Sequence, residues 1–139
     1  MRQTVIAMLL ALLTCTTAGA QGFPRCILAG DYADPSIMRD GQDFYMTHSA
    51  FSYSPGFLIW HSQDLVNWEP ICRVVTRQVM SHAWAPDLLK HNGKYYLYYP
   101  ANKKIYLCTA TQIEGPWSDP VEVEGSAGIA PGHIVDQEQ

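Results

Sequence analysis

The sequence predicts an all-β fold of the propeller type, and two repeated markers carry that prediction. The first is an X-Pro start followed by a short apolar run, a glycine turn and an aromatic strand. Asp34-Pro35-Ser36 leads to Phe44-Tyr45-Met46, and Trp84-Ala85-Pro86-Asp87 leads to Tyr95–Tyr99. A third start stands at Ala130-Pro131, so that Pro35, Pro86 and Pro131 recur at intervals of 51 and 45 residues. The second marker, Ser62–Trp68, recurs as Thr111–Trp117, with its tryptophans 49 residues apart. Repeats of this length made of short strands are the sequence form of propeller blades.

Taken in chain order, the first twenty residues stand apart from the fold. Arg2, an apolar run from Val5 to Leu13 and the small residues Ala18-Gly19-Ala20 describe a secretory signal peptide. The run is too short to span a bilayer. Cys15 is a lipid-anchor candidate that ranks below simple export, because Thr14 suits that signal poorly. The propeller domain is then residues 21–139, and the protein is expected to be secreted or periplasmic.

Period-two alternation with β-branched and aromatic residues places the strands. In the first blade they fall at Ser36–Arg39, Asp43–Thr47, Phe57–His61 and Trp68–Val75. In the second they fall at Asp87–His91, Lys94–Tyr99, Lys104–Ala110 and Val121–Glu124. Turns are expected at Asp40-Gly41, Ser54-Pro55-Gly56 and Asp64–Asn67, and Asn92-Gly93 is a strong hairpin signal because both residues tolerate positive φ. Tyr95, Tyr96, Tyr98 and Tyr99 alternate across one strand, which assigns half to core and half to the opposite face. Trp68 and Trp117 read as packing residues between blades.

At about 45–50 residues per blade, residues 21–139 supply two blades and the start of a third. The sequence ends within a strand-like pattern and therefore reads as the N-terminal part of a longer ring.

Arg2 is the only charged residue among the first twenty, so residues 21–139 carry a net charge of −5. A mildly acidic chain without a basic stripe is a poor partner for nucleic acid, whose binding rests on phosphate neutralisation. Neutral sugars suit it. Cys26, Cys72 and Cys108 are scattered, unlike the close pairs of zinc sites, and read as buried packing residues. No metal or cofactor is expected.

Propeller geometry turns the repeat into a candidate site. The first strand of each blade lines the central channel, so residues just before it converge on one end of that channel. Asp34, Trp84–Asp87 and Ala130 hold this position in their blades.

With these motifs in view, the chain resembles glycoside hydrolase family 43, five-bladed propellers acting on arabinose- and xylose-containing polysaccharides. The resemblance rests on Ala33-Asp34-Pro35-Ser36, Ser62–Trp68, His82-Ala83-Trp84-Ala85-Pro86-Asp87, Asn92–Tyr99 and Gly115–Pro120. It implies hydrolysis with inversion, in which a base activates water and an acid on the opposite face protonates the leaving oxygen. The two carboxyl groups then stand roughly 6.5–9.5 Å apart to admit the water. The resemblance makes Asp34 the base. It implies a supporting carboxylate from the third blade and a glutamic acid from the fourth. Trp84, His82, Asp87 and His48 are the candidate substrate contacts, Trp84 because sugar C–H faces pack on indole. Asp87 has a competing reading as a local backbone acceptor at a strand start.

The sequence departs from the pattern in two places. Ala130 stands where the supporting carboxylate is expected, with Asp136 too far along to replace it. The fourth blade, with the acid, lies outside the 139 residues. The chain by itself is accordingly expected not to hydrolyse glycosides. A non-catalytic carbohydrate-binding propeller is the competing reading, favoured by Ala130. A protein-interaction propeller is a weaker one, because the Trp-Asp and twin-glycine signatures of such repeats are missing.

Overall fold

The computed structural model describes residues 26–77 and 82–134. The leader at 1–20 and Asp136 lie outside the described residues. Eight strands follow in chain order: β1 (Ser36–Asp40), β2 (Asp43–Thr47), β3 (Gly56–Ser62), β4 (Glu69–Val75), β5 (Asp87–His91), β6 (Lys94–Ala101), β7 (Lys104–Ala110) and β8 (Val121–Glu122). They form two four-stranded antiparallel meanders, β1-β2-β3-β4 and β5-β6-β7-β8. These are two blades of an all-β propeller.

All eight predicted strands are present, with small shifts at their ends. β4 begins at Glu69 because Trp68 belongs to the preceding turn, and β8 stops at Glu122. The β1–β2 loop is Gly41-Gln42, one residue later than expected, since Asp40 pairs with Asp43. Asn92 and Gly93 join His91 to Lys94 with φ of 46° and 73°. That conformation matches the twist of the flanking strands, and these two residues enter it at low cost. Asn102-Lys103 closes β6–β7 in the same way, with φ of 51° and 66°. The sequence signalled no turn there, because lysine is an unusual occupant of that region.

The Ser62–Trp68 marker is a hydrogen-bonded turn. Asp64 accepts from the Val66 and Asn67 amides at 2.8 and 2.7 Å, and the Trp68 indole donates to the Leu65 carbonyl at 3.1 Å. These bonds hold the Asp64 carboxyl far below the usual carboxylate range. In the second blade the Trp117 indole donates to the Ile113 carbonyl at 3.0 Å. The repeated tryptophan thus ties each blade's outer turn to itself, and Trp117 also packs against the core.

The core lies between the blades. Phe57, Ile59 and Val74 of the first meet Leu88, Leu97, Tyr99 and Cys108 of the second, with the Phe57 and Tyr99 rings 4.5 Å apart. Tyr95, Leu97 and Tyr99 face this core while Tyr96 and Tyr98 lie half-buried on the opposite face, as period-two alternation requires. Burying a side chain such as Phe57 contributes about 2–3 kcal/mol.

The two inner strands are fastened at both ends. At one, the Leu88 amide donates to Ser36 Oγ at 3.0 Å. At the other, Asp40 Oδ2 accepts from Lys90 Nζ at 2.5 Å and from Tyr95 Oη at 2.7 Å. Both bonds hold the Asp40 carboxyl below its ordinary value. Among the described residues the cysteines Cys26, Cys72 and Cys108 are free; Cys108 is buried and Cys72 half-buried, but Cys26 is exposed. This corrects the reading of Cys26 as a packing residue: it precedes the first strand and has no sheet to cover it.

Candidate active site

The residues before β1 and β5 adopt unusual backbone angles. Asp34 has φ 53°, His82 φ 61° and Ala85 φ 26°. Left-handed angles at non-glycine residues cost free energy and persist only where surrounding bonds hold them. Those bonds are present. The Ser49 amide donates to the Ala33 carbonyl at 2.9 Å. Ser49 Oγ donates to Asp34 Oδ2 at 2.6 Å and accepts from the Ala85 amide at 2.7 Å. Ser49 is 2% exposed, whereas Asp34 is exposed. One buried hydroxyl therefore links the Asp-Pro start of the first blade to the Trp-Ala-Pro-Asp start of the second, and leaves the carboxylate open to solvent.

Beside this link, Ala83 exchanges backbone bonds with Phe51 at 2.8 and 2.9 Å, and the Trp84 amide donates to the Pro100 carbonyl at 3.2 Å. The Trp84 ring is 40% exposed and stands edge-on to His82 at 5.7 Å. These two rings line a cleft of about 470 Å³ with Pro100, Lys103 and Ile129. An exposed indole fixed from behind offers an apolar platform with a donor at its edge.

Two of the sequence candidates are placed differently from Trp84. The His48 Nδ1–H donates to the Ser49 carbonyl at 2.9 Å, and its ring meets Tyr32 edge-on at 4.8 Å, in a separate cleft on the first blade. Asp87 does accept a backbone bond, but from the amide of His133 at 2.9 Å, a residue 46 positions away, and not from its own strand start. The His133 ring covers Tyr98 at 5.4 Å. Ala130 is exposed. Among the described residues no group of three or more His, Cys, Asp or Glu side chains is placed to hold a metal ion. A larger concavity of about 480 Å³, lined by Cys26, His61, Asp64 and Trp68, lies on the outer turn of the first blade and contains none of the groups linked to Asp34.

Ser49 and Ser36 were not legible as site residues. Ser49 lies in no recognisable motif, and Ser36 only closes the Asp34-Pro35-Ser36 start; each acts through its position opposite another chain segment.

Two antiparallel four-stranded blades, with a fixed carboxylate and an exposed indole at their inner-strand starts, are part of a β-propeller. The chain matches Glycosyl hydrolases family 43 over residues 23–139 and belongs to that family. It is 36% identical over 130 residues to Xylosidase/arabinosidase 43B of Humicola insolens, covering 81% of this chain and 24% of that protein. It is 35% identical over 116 residues to the non-reducing end alpha-L-arabinofuranosidase BoGH43B of Bacteroides ovatus, covering 73% of this chain and 22% of that protein. Among solved structures, the GH43 BlXynB protein from Bacillus licheniformis superposes with a TM-score of 0.70 at 36% identity, over 79% of this chain and 26% of that one. The xylan beta-1,4-xylosidase from Bacillus Halodurans gives 0.62 at 39% identity, over 69% and 22%. The chain thus spans about a quarter of the length of the relatives it matches.

Proposed function

We propose that this chain supplies the base-bearing part of a glycoside hydrolase that cleaves O-glycosidic bonds in xylose- and arabinose-containing polysaccharides with inversion. The observation that supports the reading is the Asp34–Ser49 bond: one carboxylate oxygen is held by a buried hydroxyl, and the exposed carboxylate is thereby oriented. In this reaction Asp34 takes a proton from water as the water oxygen bonds to the anomeric carbon. The glycosidic C–O bond breaks, and an acid on the opposite face gives its proton to the leaving oxygen. No described residue is assigned to that acid. Trp84 and His82 form the sugar platform, and Asp87 and His48 are further saccharide contacts. Residues 1–20 direct export to the periplasm or the medium, where polymeric substrates are met.

Ala130 favours a second reading, a carbohydrate-binding propeller without turnover, because a methyl group stands where a tuning carboxylate is expected. The experiment is an assay on aryl xylosides and arabinofuranosides. It is run on the 139-residue chain and on the product of its reading frame extended through downstream genomic DNA. Asp34→Asn lowers kcat by about 10²–10⁴-fold in an enzyme, with saccharide affinity nearly unchanged, and the released sugar carries the inverted anomer. Saccharide binding with no turnover by either product assigns the binding propeller. Turnover indifferent to Asp34→Asn removes Asp34 as the base.

A further inference from the structure

The innermost strands β1 and β5 are each the edge of their sheet, so alternate amides of each find no acceptor within it. Leu88 in β5 is only 3% exposed, and an unbonded amide there would carry a desolvation cost. Its acceptor comes from the neighbouring blade: the Leu88 amide donates to Ser36 Oγ at 3.0 Å. The next joint repeats the arrangement, with the His133 amide donating to Asp87 Oδ2 at 2.9 Å.

The two bonds hold one place in the repeat. Ser36 follows Pro35 and Asp87 follows Pro86, so each acceptor is the residue just after a blade's leading proline. Leu88 stands two residues after Pro86 and His133 two residues after Pro131, so each donor is the second residue past the following proline. A hydroxyl fills the place once and a carboxylate once. What recurs is an acceptor at that position.

A second link distinguishes the joints. The pairs Ser36↔Thr47 and Asp87↔Tyr98 make Ser49 and Pro100 equivalent, each two residues further along. Ser49 Oγ accepts from the amide of Ala85, the residue before Pro86. Pro100 has no side-chain acceptor to offer the matching residue, Ala130. Among the described residues the first joint thus has two hydroxyl links, and the second has the Asp87 carboxylate. An ionised acceptor makes the stronger bond, which suits a joint with one such link. The His133 ring, 5.4 Å from that of Tyr98, lies over the same joint. Gly132, the residue after Pro131, carries no acceptor to continue the pattern.

We propose that Asp87 is a positioning residue that latches the third Pro start to the second blade, as Ser36 latches the second blade to the first. It fixes the chain around His133 against Tyr98 and so sets where the third start leaves the second blade. The bond engages Oδ2, and the saccharide contact assigned to Asp87 above falls to Oδ1.

The test is residue-resolved amide hydrogen exchange of the 139-residue chain, on wild type, Asp87→Ala, Asp87→Asn and Ser36→Ala. The amide of the fully buried Leu97 is the reference. In Asp87→Ala the expected result is a loss of His133 protection of about tenfold, with Leu88 and Leu97 unchanged. Asp87→Asn keeps an acceptor oxygen and retains most of that protection. Ser36→Ala lowers protection at Leu88 and leaves His133 as it was. A His133 amide without protection in wild type overturns the inference, as does equal loss in the Asn and Ala variants. Loss at Leu97 as large as at His133 assigns general destabilisation and overturns it too. No substrate enters the measurement, so its failure leaves the hydrolase reading standing.

Discussion

Asp34 and Ser49 face each other two residues beyond the last paired residues of β1 and β2, joined by a 2.6 Å bond from the serine hydroxyl to the carboxylate. Ser49 Oγ is also the acceptor for the Ala85 amide. Candidate chemistry and blade-to-blade packing therefore share one side chain.

Ser49→Ala removes the Asp34 bond and leaves a partly buried amide without its acceptor. The expected loss is about 1–3 kcal/mol of unfolding free energy. Asp34→Ala, which leaves Ser49 on the Ala85 amide, costs less. Urea unfolding of both variants checks the order; equal losses would remove Ser49 from its linking role.

Phe57→Ala opens a cavity against Tyr99 and costs about 3–5 kcal/mol, whereas Tyr53→Ala at an exposed site falls within about 0.5 kcal/mol of wild type. Thermal or urea unfolding separates them. Similar effects would mean that the blades do not pack through Phe57.

Acid sensitivity follows from Asp40. Lys90 and Tyr95 lower its folded pKa below the ordinary 3.8. A lowered pKa gives stability that is present above the unfolded value and is lost as pH falls through the folded one. His61 runs the opposite way: Asp43, and then Glu69, raise its pKa above 6.5, so its contribution is full below that value and is lost as pH rises through the folded pKa. Melting temperatures across pH 3–9 are expected to fall less steeply on the acid side in Asp40→Asn than in wild type, and less on the alkaline side in His61→Gln. Curves parallel to wild type would contradict the assignments.

Thiol reactivity separates the three cysteines among the described residues. Burial pushes the Cys72 thiol up to about 11 and the Cys108 thiol up to about 12, and the thiolate is the reactive form. A disulfide reagent at pH 8 is expected to label exposed Cys26 in the native protein, with Cys72 and Cys108 following only on unfolding. Peptide mapping reads the result; early labelling of Cys108 would place it outside the core.

The strands were legible because each has a strong local pattern: alternation in Lys94–Tyr99, Asn-Gly at the hairpin, and the Asp64–Asn67 turn. The Asn102-Lys103 turn carried no such pattern, since neither glycine nor proline marks it. Asp34 and Trp84 were legible through a repeated Pro start. Ser49 was not, yet the register Ser36↔Thr47 carried two residues further sets it opposite Asp34.

The sequence by itself determined the blade period, the strand order and the residues that stand at the head of each inner strand, because these follow from short-range periodicity and turn chemistry. Tertiary structure alone decided which groups meet there: Ser49 with Asp34 and Ala85, His133 with Asp87, and Tyr32 over His48 and Trp60. Those partners lie up to 46 residues apart, and only the stacking of one sheet on the next brings them within bonding distance.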